Sequence, residues 1–161
     1  MNLMKLLLIN FIICSTLLAD HKGAPQLLSA KDTLISLEPI KSDAIVFGEG
    51  KKEIHAFIDP LCSLSQRYLS FVFAKKELMF KKYKFYFYLY ELPSKNSKEL
   101  ISTILSSEYK NTMLKTVMLN HQDVIIDEGE GEDIADKIEE VAKKIGVFKR
   151  PYILINGKVK L

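Results

Sequence analysis

The strongest strand signal in this chain is a continuous, largely aromatic run at residues 84–92 (KFYFYLYEL), which Pro93 ends. A run without polar alternation is typical of a strand that is covered on both faces, as in sheets enclosed by helices. The run therefore favours an architecture in which helices pack on both sides of a central sheet.

Strand and helix patterns alternate along the rest of the chain, which is typical of an α/β fold. The predicted strands are residues 45–47, 53–59, 152–155 and a return strand over 158–161, and the predicted helices are 63 to about 82, two pieces within 94–120, and 133–145. Gly146 is placed to stop the last helix, and Asn156-Gly157 is a hairpin turn signal. An acidic stretch at 127–133 is predicted to be a solvated loop. In the second of these strands, Ile54, Ala56 and Ile58 alternate with four other residues, which is typical of a strand: Glu53, His55, Phe57 and Asp59.

The first residues are typical of an export signal. Lys5 gives a basic start, residues 6–18 carry no charge, and Ala19 is a small residue at the expected cleavage point. We therefore predict a signal peptide at 1–19, a lead-in at 20–43 with one short strand or helix, and one domain at 44–161. The alternative is an uncleaved N-terminal anchor, with the domain outside the cytoplasmic membrane.

The chain has two cysteines, Cys14 and Cys62. Cleavage after Ala19 would remove Cys14 and leave one thiol in the mature protein. Exported proteins usually pair their cysteines, so a lone thiol in an oxidising compartment is expected to be oxidised, capped or used.

Cys62 follows an apolar strand and a proline turn in the segment 57–65 (FIDPLCSLS) and precedes a predicted helix. At a helix N-terminus, free backbone N–H groups and the positive end of the helix dipole favour a thiolate, which is the nucleophile of disulfide exchange. The alternative is an inert cysteine within the core.

This segment resembles the active-site region of the thioredoxin superfamily, in particular the periplasmic disulfide isomerases and oxidases of the Dsb type. A second match is the segment 146–157 (GVFKRPYILING), which is similar to the family's loop, cis-proline, strand and hairpin. The resemblance implies a thioredoxin-like fold: a central mixed sheet flanked by helices, with a helical insertion. It also implies that Pro151 is a cis-proline beside the active-site thiol, whereas an ordinary trans proline is the alternative. The family location would be the periplasm.

The resemblance assigns the residues of the expected site. Cys62, Ser65 and Pro151 would be catalytic, and Arg150, Pro60 and Leu61 would contact a polypeptide substrate, with the Arg150 backbone pairing with it. Ser65 stands where the family has its second cysteine. It is expected to be either an ordinary helix residue or a weak donor to the sulfur.

The substitution at residue 65 limits the chemistry. A protein with one thiol can form a mixed disulfide but needs an outside thiol to release it, so exchange or isomerisation is expected and net dithiol oxidation is not. Arg150 replaces a small or β-branched residue common in the family, and its charge could favour the thiolate. Because the predicted mature chain is short, we do not expect the dimerisation domain of the isomerase branch.

The expected partners are cysteine-containing exported proteins and an external thiol reductant. The net charge of +3 is too small to indicate nucleic-acid binding, and no histidine has ligand spacing to Cys62, so we expect no metal and no cofactor. The competing hypothesis is a non-catalytic polypeptide-binding module that has kept the fold.

Overall fold

The structure is a computed structural model that describes residues 28–127 and 131–160. Its helices are α1 (Ala30–Leu37), α2 (Ser63–Ala74), α3 (Lys76–Lys82), α4 (Lys98–Ser106), α5 (Lys110–Met118) and α6 (Gly131–Ile145), with a 3-10 turn at Glu38–Ile40. Its strands are β1 (Ile45–Phe47), β2 (Lys52–Ile58), β3 (Tyr83–Leu89), β4 (Tyr152–Ile155) and β5 (Lys158–Lys160). The predicted signal peptide at 1–19 lies outside the described residues.

The five strands form one mixed sheet in the order β1-β3-β2-β4-β5. β2 and β3 are parallel, and the other neighbouring pairs are antiparallel. A parallel pair needs a crossover connection, which α2 and α3 supply here. The prediction of a central mixed sheet flanked by helices is confirmed.

The aromatic strand β3 is buried on both faces. Phe85 and Phe87 lie on one face, where Tyr68 of α2 approaches Phe87 to 6.3 Å between ring centroids. Tyr86 and Tyr88 lie on the other face and stack on the His55 ring at 4.9 and 6.0 Å. Each buried aromatic ring contributes about 2–3 kcal/mol of hydrophobic stabilisation. The interpretation of a strand enclosed by helices is confirmed.

β2 is buried along most of its length, on both of its faces. His55 and Phe57 are 2% and 0% exposed, so they are buried along with Ile54, Ala56 and Ile58. The reason is position: β2 lies in the middle of the sheet between β3 and β4. The sequence pattern gives only the polarity of successive side chains, whereas their burial depends on what packs on each face of the sheet.

The single helix predicted over residues 63–82 is two helices in the structure. The backbone leaves helical geometry at Lys75, with φ −115° and ψ 24°. The break redirects the chain so that Phe80 of α3 packs against Phe73 of α2 at 5.3 Å and against Phe47 of β1 at 6.1 Å. The continuous helical prediction was therefore wrong, because tertiary packing of aromatic rings ends α2 early.

Strand β3 ends at Leu89, three residues before the predicted end at Leu92. The amide of Leu92 bonds to the Asp59 carboxylate, and the carbonyl of Tyr90 bonds to the Arg150 side chain. These two backbone groups therefore form hydrogen bonds with side chains and not with a neighbouring strand.

The lead-in forms α1, which Ser29 caps by accepting a hydrogen bond from the Asp32 amide. Leu37 and Ile40 are buried in the same core as the sheet, and α1 packs against α6. The lead-in residues that the structure describes are thus helical and integrated into the core.

Helices α4 and α5 form the helical insertion between β3 and α6. α6 is described from Gly131, two residues before its predicted start, where a Cβ atom would lie 2.0 Å from the Ser102 carbonyl oxygen of α4. Residues 131–133 of the predicted acidic loop are therefore helical, and residues 128–130 lie outside the described ranges. Gly146, with φ +80°, ends α6 as predicted. Among residues 28–127 and 131–160, no helix is long and apolar enough to cross a membrane.

Candidate active site

Cys62 is the N-cap residue of α2, as the sequence predicted. Its backbone is extended, with φ −86° and ψ 116°, and its carbonyl accepts the first helical hydrogen bond from the Gln66 amide at 3.0 Å. The Cys62 amide donates to the Asp59 carbonyl at 3.1 Å, which closes the turn between β2 and α2. Cys62 therefore lies at the end of α2 where unpaired backbone N–H groups favour negative charge.

The Cys62 sulfur faces the loop that precedes β4. Its Sγ atom lies 3.9 Å from the Arg150 carbonyl oxygen, to which the thiol can donate a weak hydrogen bond. The peptide bond between Arg150 and Pro151 is cis. Cys62 is only 5% exposed, and Pro151 is partly buried. The two distant segments that carried the family resemblance thus meet in space.

Ser65 has a backbone partner. Its buried hydroxyl oxygen accepts a hydrogen bond from the Asp59 amide at 3.2 Å. Within the described part of the chain, no hydrogen bond joins the Ser65 hydroxyl to the Cys62 sulfur. The contact observed for Ser65 holds the turn that carries Cys62.

Asp59 is a member of the site that sequence analysis missed. Its carboxylate is fully buried and accepts hydrogen bonds from the Leu61 amide at 2.8 Å, from the Ser97 hydroxyl at 2.9 Å and from the Leu92 amide. It therefore joins the active-site turn to the segment after β3. The available signal was an acidic residue between an apolar strand and Pro60, where a polar side chain is poised to bond to nearby backbone.

The Arg150 side chain points inward, and the residue is 5% exposed. Its guanidinium donates to the Tyr90 carbonyl through Nε at 2.9 Å, to the Glu91 carbonyl through Nη2 at 2.7 Å and to the Lys149 carbonyl through Nη1 at 3.1 Å. Its Cζ atom lies 3.7 Å from the centroid of the Tyr90 ring, within cation–π range. Burial lowers the pKa of Arg150, while Tyr90, Asp59 and Cys62 act in the opposite direction.

Of the predicted substrate contacts, Pro60 is buried, whereas Leu61 is 42% exposed. Leu61 borders a groove of about 380 Å³ that reaches the helical insertion. The other apolar residues that line this groove are Leu100, Val117, Val124 and Ile126. Leu64 and Phe148 are also exposed, at 50% and 66%. Apolar side chains thus occupy the surface near the thiol.

Comparison with known proteins shows what the fold is similar to. Neither a protein-family model nor a curated protein sequence matches the chain. The catalytic domain of ScsC from Proteus mirabilis is similar in structure, with a TM-score of 0.61 and 13% identity over 81% of this chain and 88% of that one.

Two further solved structures are similar. MdbA, a thiol-disulfide oxidoreductase from Actinomyces oris, has a TM-score of 0.55 and 11% identity over 74% of this chain and 81% of its own. A periplasmic thioredoxin-like protein from Salmonella enterica serovar Typhimurium has a TM-score of 0.57 and 10% identity, over 79% of this chain and 85% of its own. The fold of this chain is therefore thioredoxin-like.

Proposed function

We propose that this protein is an exported thiol–disulfide exchange protein that works through the single thiol of Cys62. The observation that carries the proposal is the position of the Cys62 sulfur, at the N-terminus of α2 and 3.9 Å from the Arg150 carbonyl that precedes Pro151. The thioredoxin-like fold and the oxidoreductase among its structural neighbours support the same chemistry.

In the forward step, the Cys62 thiolate attacks one sulfur of a substrate disulfide. The substrate S–S bond breaks, a Cys62–substrate disulfide forms, and the other substrate sulfur leaves as a thiolate. The number of disulfides is unchanged, so this step needs no oxidant. A substrate thiolate that then attacks the mixed disulfide from another position completes an isomerisation and regenerates Cys62.

Release without isomerisation requires a thiol from outside. An external thiolate attacks the mixed disulfide, frees Cys62 and leaves with the substrate sulfur in a new disulfide. Ser65 cannot perform this attack, because a hydroxyl is not a thiolate. Loss of Cys14 with the signal peptide removes the remaining cysteine of the chain. The expected partners are therefore cysteine-containing exported proteins together with a small thiol or a reductase.

The apolar groove beside Leu61 supports a role in polypeptide binding. Leu61 is joined directly to Cys62 and is partly exposed at the groove edge. An apolar side chain near the substrate cysteine would bury its surface there while the two sulfurs react. Leu61 is accordingly proposed as a substrate contact.

Disulfide trapping in cells tests the proposal. Cells that express the full chain are quenched with acid, free thiols are alkylated, and disulfide-linked adducts are separated and identified. We expect adducts with exported cysteine proteins that persist in the Cys14→Ser variant and vanish in the Cys62→Ser variant. Adducts that survive loss of Cys62, or no adducts at all, would contradict the proposal.

A second candidate is a polypeptide-binding module in which Cys62 does no chemistry. The observation that favours it is the 5% exposure of Cys62, which restricts access to the sulfur. Under this hypothesis the Cys62→Ala variant keeps its partner binding, measured as co-purification under reducing conditions. Loss of the bound partner in that variant would exclude the module.

A further inference from the structure

The residue before Pro151 has two separate connections to the thiol site. Its backbone carbonyl faces the Cys62 sulfur, and its side chain turns inward to the segment formed by residues 90–92, which we call the post-β3 segment. A side chain that pointed outward could contact a substrate. The buried guanidinium of Arg150 instead contacts the protein's own backbone.

The Arg150 guanidinium donates hydrogen bonds to backbone carbonyls of the post-β3 segment. Nε and Nη2 donate to the carbonyls of Tyr90 and Glu91 at 2.9 and 2.7 Å, and the guanidinium stacks on the Tyr90 ring. The planar fork of arginine suits this task, because it presents several donors in fixed directions. The loop that contains Arg150 is thereby attached to the post-β3 segment.

The active-site turn is attached to the same segment. The Asp59 carboxylate accepts a hydrogen bond from the Leu92 amide, and the Tyr90 amide donates to the Ile58 carbonyl at 2.9 Å. The backbone carbonyl of Asp59 in turn accepts a hydrogen bond from the Cys62 amide at 3.1 Å. The post-β3 segment is thus a common anchor for the turn that carries the sulfur and for the loop that faces it.

We propose that Arg150 is a positioning residue: its guanidinium holds the loop on the post-β3 segment and so sets the place of its own carbonyl oxygen against the Cys62 sulfur. The inference rests on the proposed exchange function.

This role differs from a purely structural one in what it predicts. If Arg150 only stabilised the fold, its variants would unfold at lower temperature, but the folded protein would react at the same rate. If Arg150 positions the loop against the sulfur, the folded variants also react more slowly, and lysine at residue 150 restores part of the rate.

The experiment compares Arg150→Lys and Arg150→Met in a full-length Cys14→Ser background, so that Cys62 supplies the only thiol. Each protein reacts with dithiodipyridine, a small neutral aromatic disulfide, over a range of pH and well below its own unfolding temperature. The matched control is Lys149→Met, which removes a neighbouring positive charge whose Nζ atom lies 5.8 Å from the Phe148 ring.

We expect Arg150→Met to react about tenfold more slowly than the parent, because release of the loop disturbs the packing around the Cys62 sulfur, and small misplacements of a reacting atom have large effects on rate. Arg150→Lys should react at an intermediate rate, because one ammonium can donate to part of the post-β3 segment but cannot reproduce the planar fork. Lys149→Met should match the parent.

A parent-like rate in folded Arg150→Met would overturn the inference. If that variant does not fold, Arg150→Lys decides the question, since an unchanged rate there overturns the inference too. The rates are ratios to the parent, so they are independent of the cellular trapping result. Failure to trap any partner would remove the proposed function, whereas equal rates would remove only the positioning role.

Discussion

The Cys62 sulfur and the Arg150 carbonyl oxygen lie 3.9 Å apart, although the two residues are 88 positions apart in the chain. Pairing of β2 with β4 explains this proximity. The two strands are antiparallel, with Phe57 opposite Tyr152, so the end of β2 lies beside the start of β4. Cys62 follows the first strand and Pro151 precedes the second. The candidate site therefore lies at the end of the sheet where β2 stops and β4 starts, and the register of these two strands brings its residues together.

Replacement of Ser65 by cysteine should convert the single-thiol site into a dithiol. Cys62 is the N-cap residue of α2 and Ser65 lies in the first turn of the same helix, so the two side chains leave neighbouring points of the chain. We expect Ser65→Cys to form an internal disulfide with Cys62 under mild oxidation, seen by mass spectrometry as the loss of two hydrogens.

The same variant should also yield fewer trapped adducts, because the introduced thiol attacks the mixed disulfide and releases substrate from Cys62. The matched control is Ser70→Cys, at an exposed position of α2. A Ser65→Cys protein that stays fully reduced and traps as much partner as the parent would contradict a site shared by residues 62 and 65.

Asp59 should be important for stability. Asp59→Asn leaves a side chain of the same size, but its amide nitrogen cannot accept the bonds that two carboxylate oxygens accept from Leu61, Leu92 and Ser97. We expect a loss of about 3 kcal/mol in the free energy of unfolding, measured by urea denaturation.

Asp123, which is exposed, provides the comparison for Asp59. Asp123→Asn should change the free energy of unfolding by less than about 0.5 kcal/mol. Equal effects of the two substitutions would show that the buried carboxylate does not hold the turn.

Stability should fall in mildly acidic solution because of His55. Burial lowers the pKa of His55 from the ordinary value of 6.5, since its ring is enclosed between strands with Nδ1 at 3.0 Å from the Tyr88 hydroxyl. The unfolded state therefore binds a proton more readily than the folded state. The His55 contribution is fully present above pH 6.5 and is lost as the pH falls below 6.5 toward the lower folded-state pKa.

Three charged groups act on this histidine: the Glu53 carboxylate, 3.5 Å from His55 Nε2, Lys41, which pairs with Glu53 at 3.1 Å, and Glu38, which lies 3.8 Å from Lys41. The free energy of unfolding should decline over this range in the parent and change less in His55→Phe, whose ring can still stack on Tyr86 and Tyr88. His121→Asn, at an exposed position, should follow the parent. An identical decline in His55→Phe would exclude His55 as the cause.

Leu61 should influence which disulfides react. Leu61→Ser removes an apolar side chain from the groove edge, so reaction with a peptide disulfide flanked by leucine should slow by about tenfold. Reaction with a serine-flanked peptide should change little. Leu78→Ser, which alters an apolar residue of α3 that is 67% exposed, is the control. The same slowing in both variants, or in both peptides, would rule out a specific contact at Leu61.

Much of the fold was predictable because its signals are local. The apolar run of β3, the helical period of α6, the stop at Gly146 and the Asn156-Gly157 turn each act over a few neighbouring residues. The break at Lys75 was not predictable in this way, because it depends on contacts that Phe80 makes with rings from other elements. The early end of β3 likewise depends on side chains from elsewhere in the chain.

For the site, the sequence by itself determined that Cys62 begins a helix and that Ser65 is not a thiol, since both follow from adjacent residues. The tertiary structure decided that Asp59 is buried with three donors and that the Arg150 side chain turns inward to Tyr90 and Glu91. A buried charged group needs partners, and here most of those partners come from segments far away in the chain. Strand pairing brings these partners together, so the contacts that hold the thiol exist only in the assembled sheet.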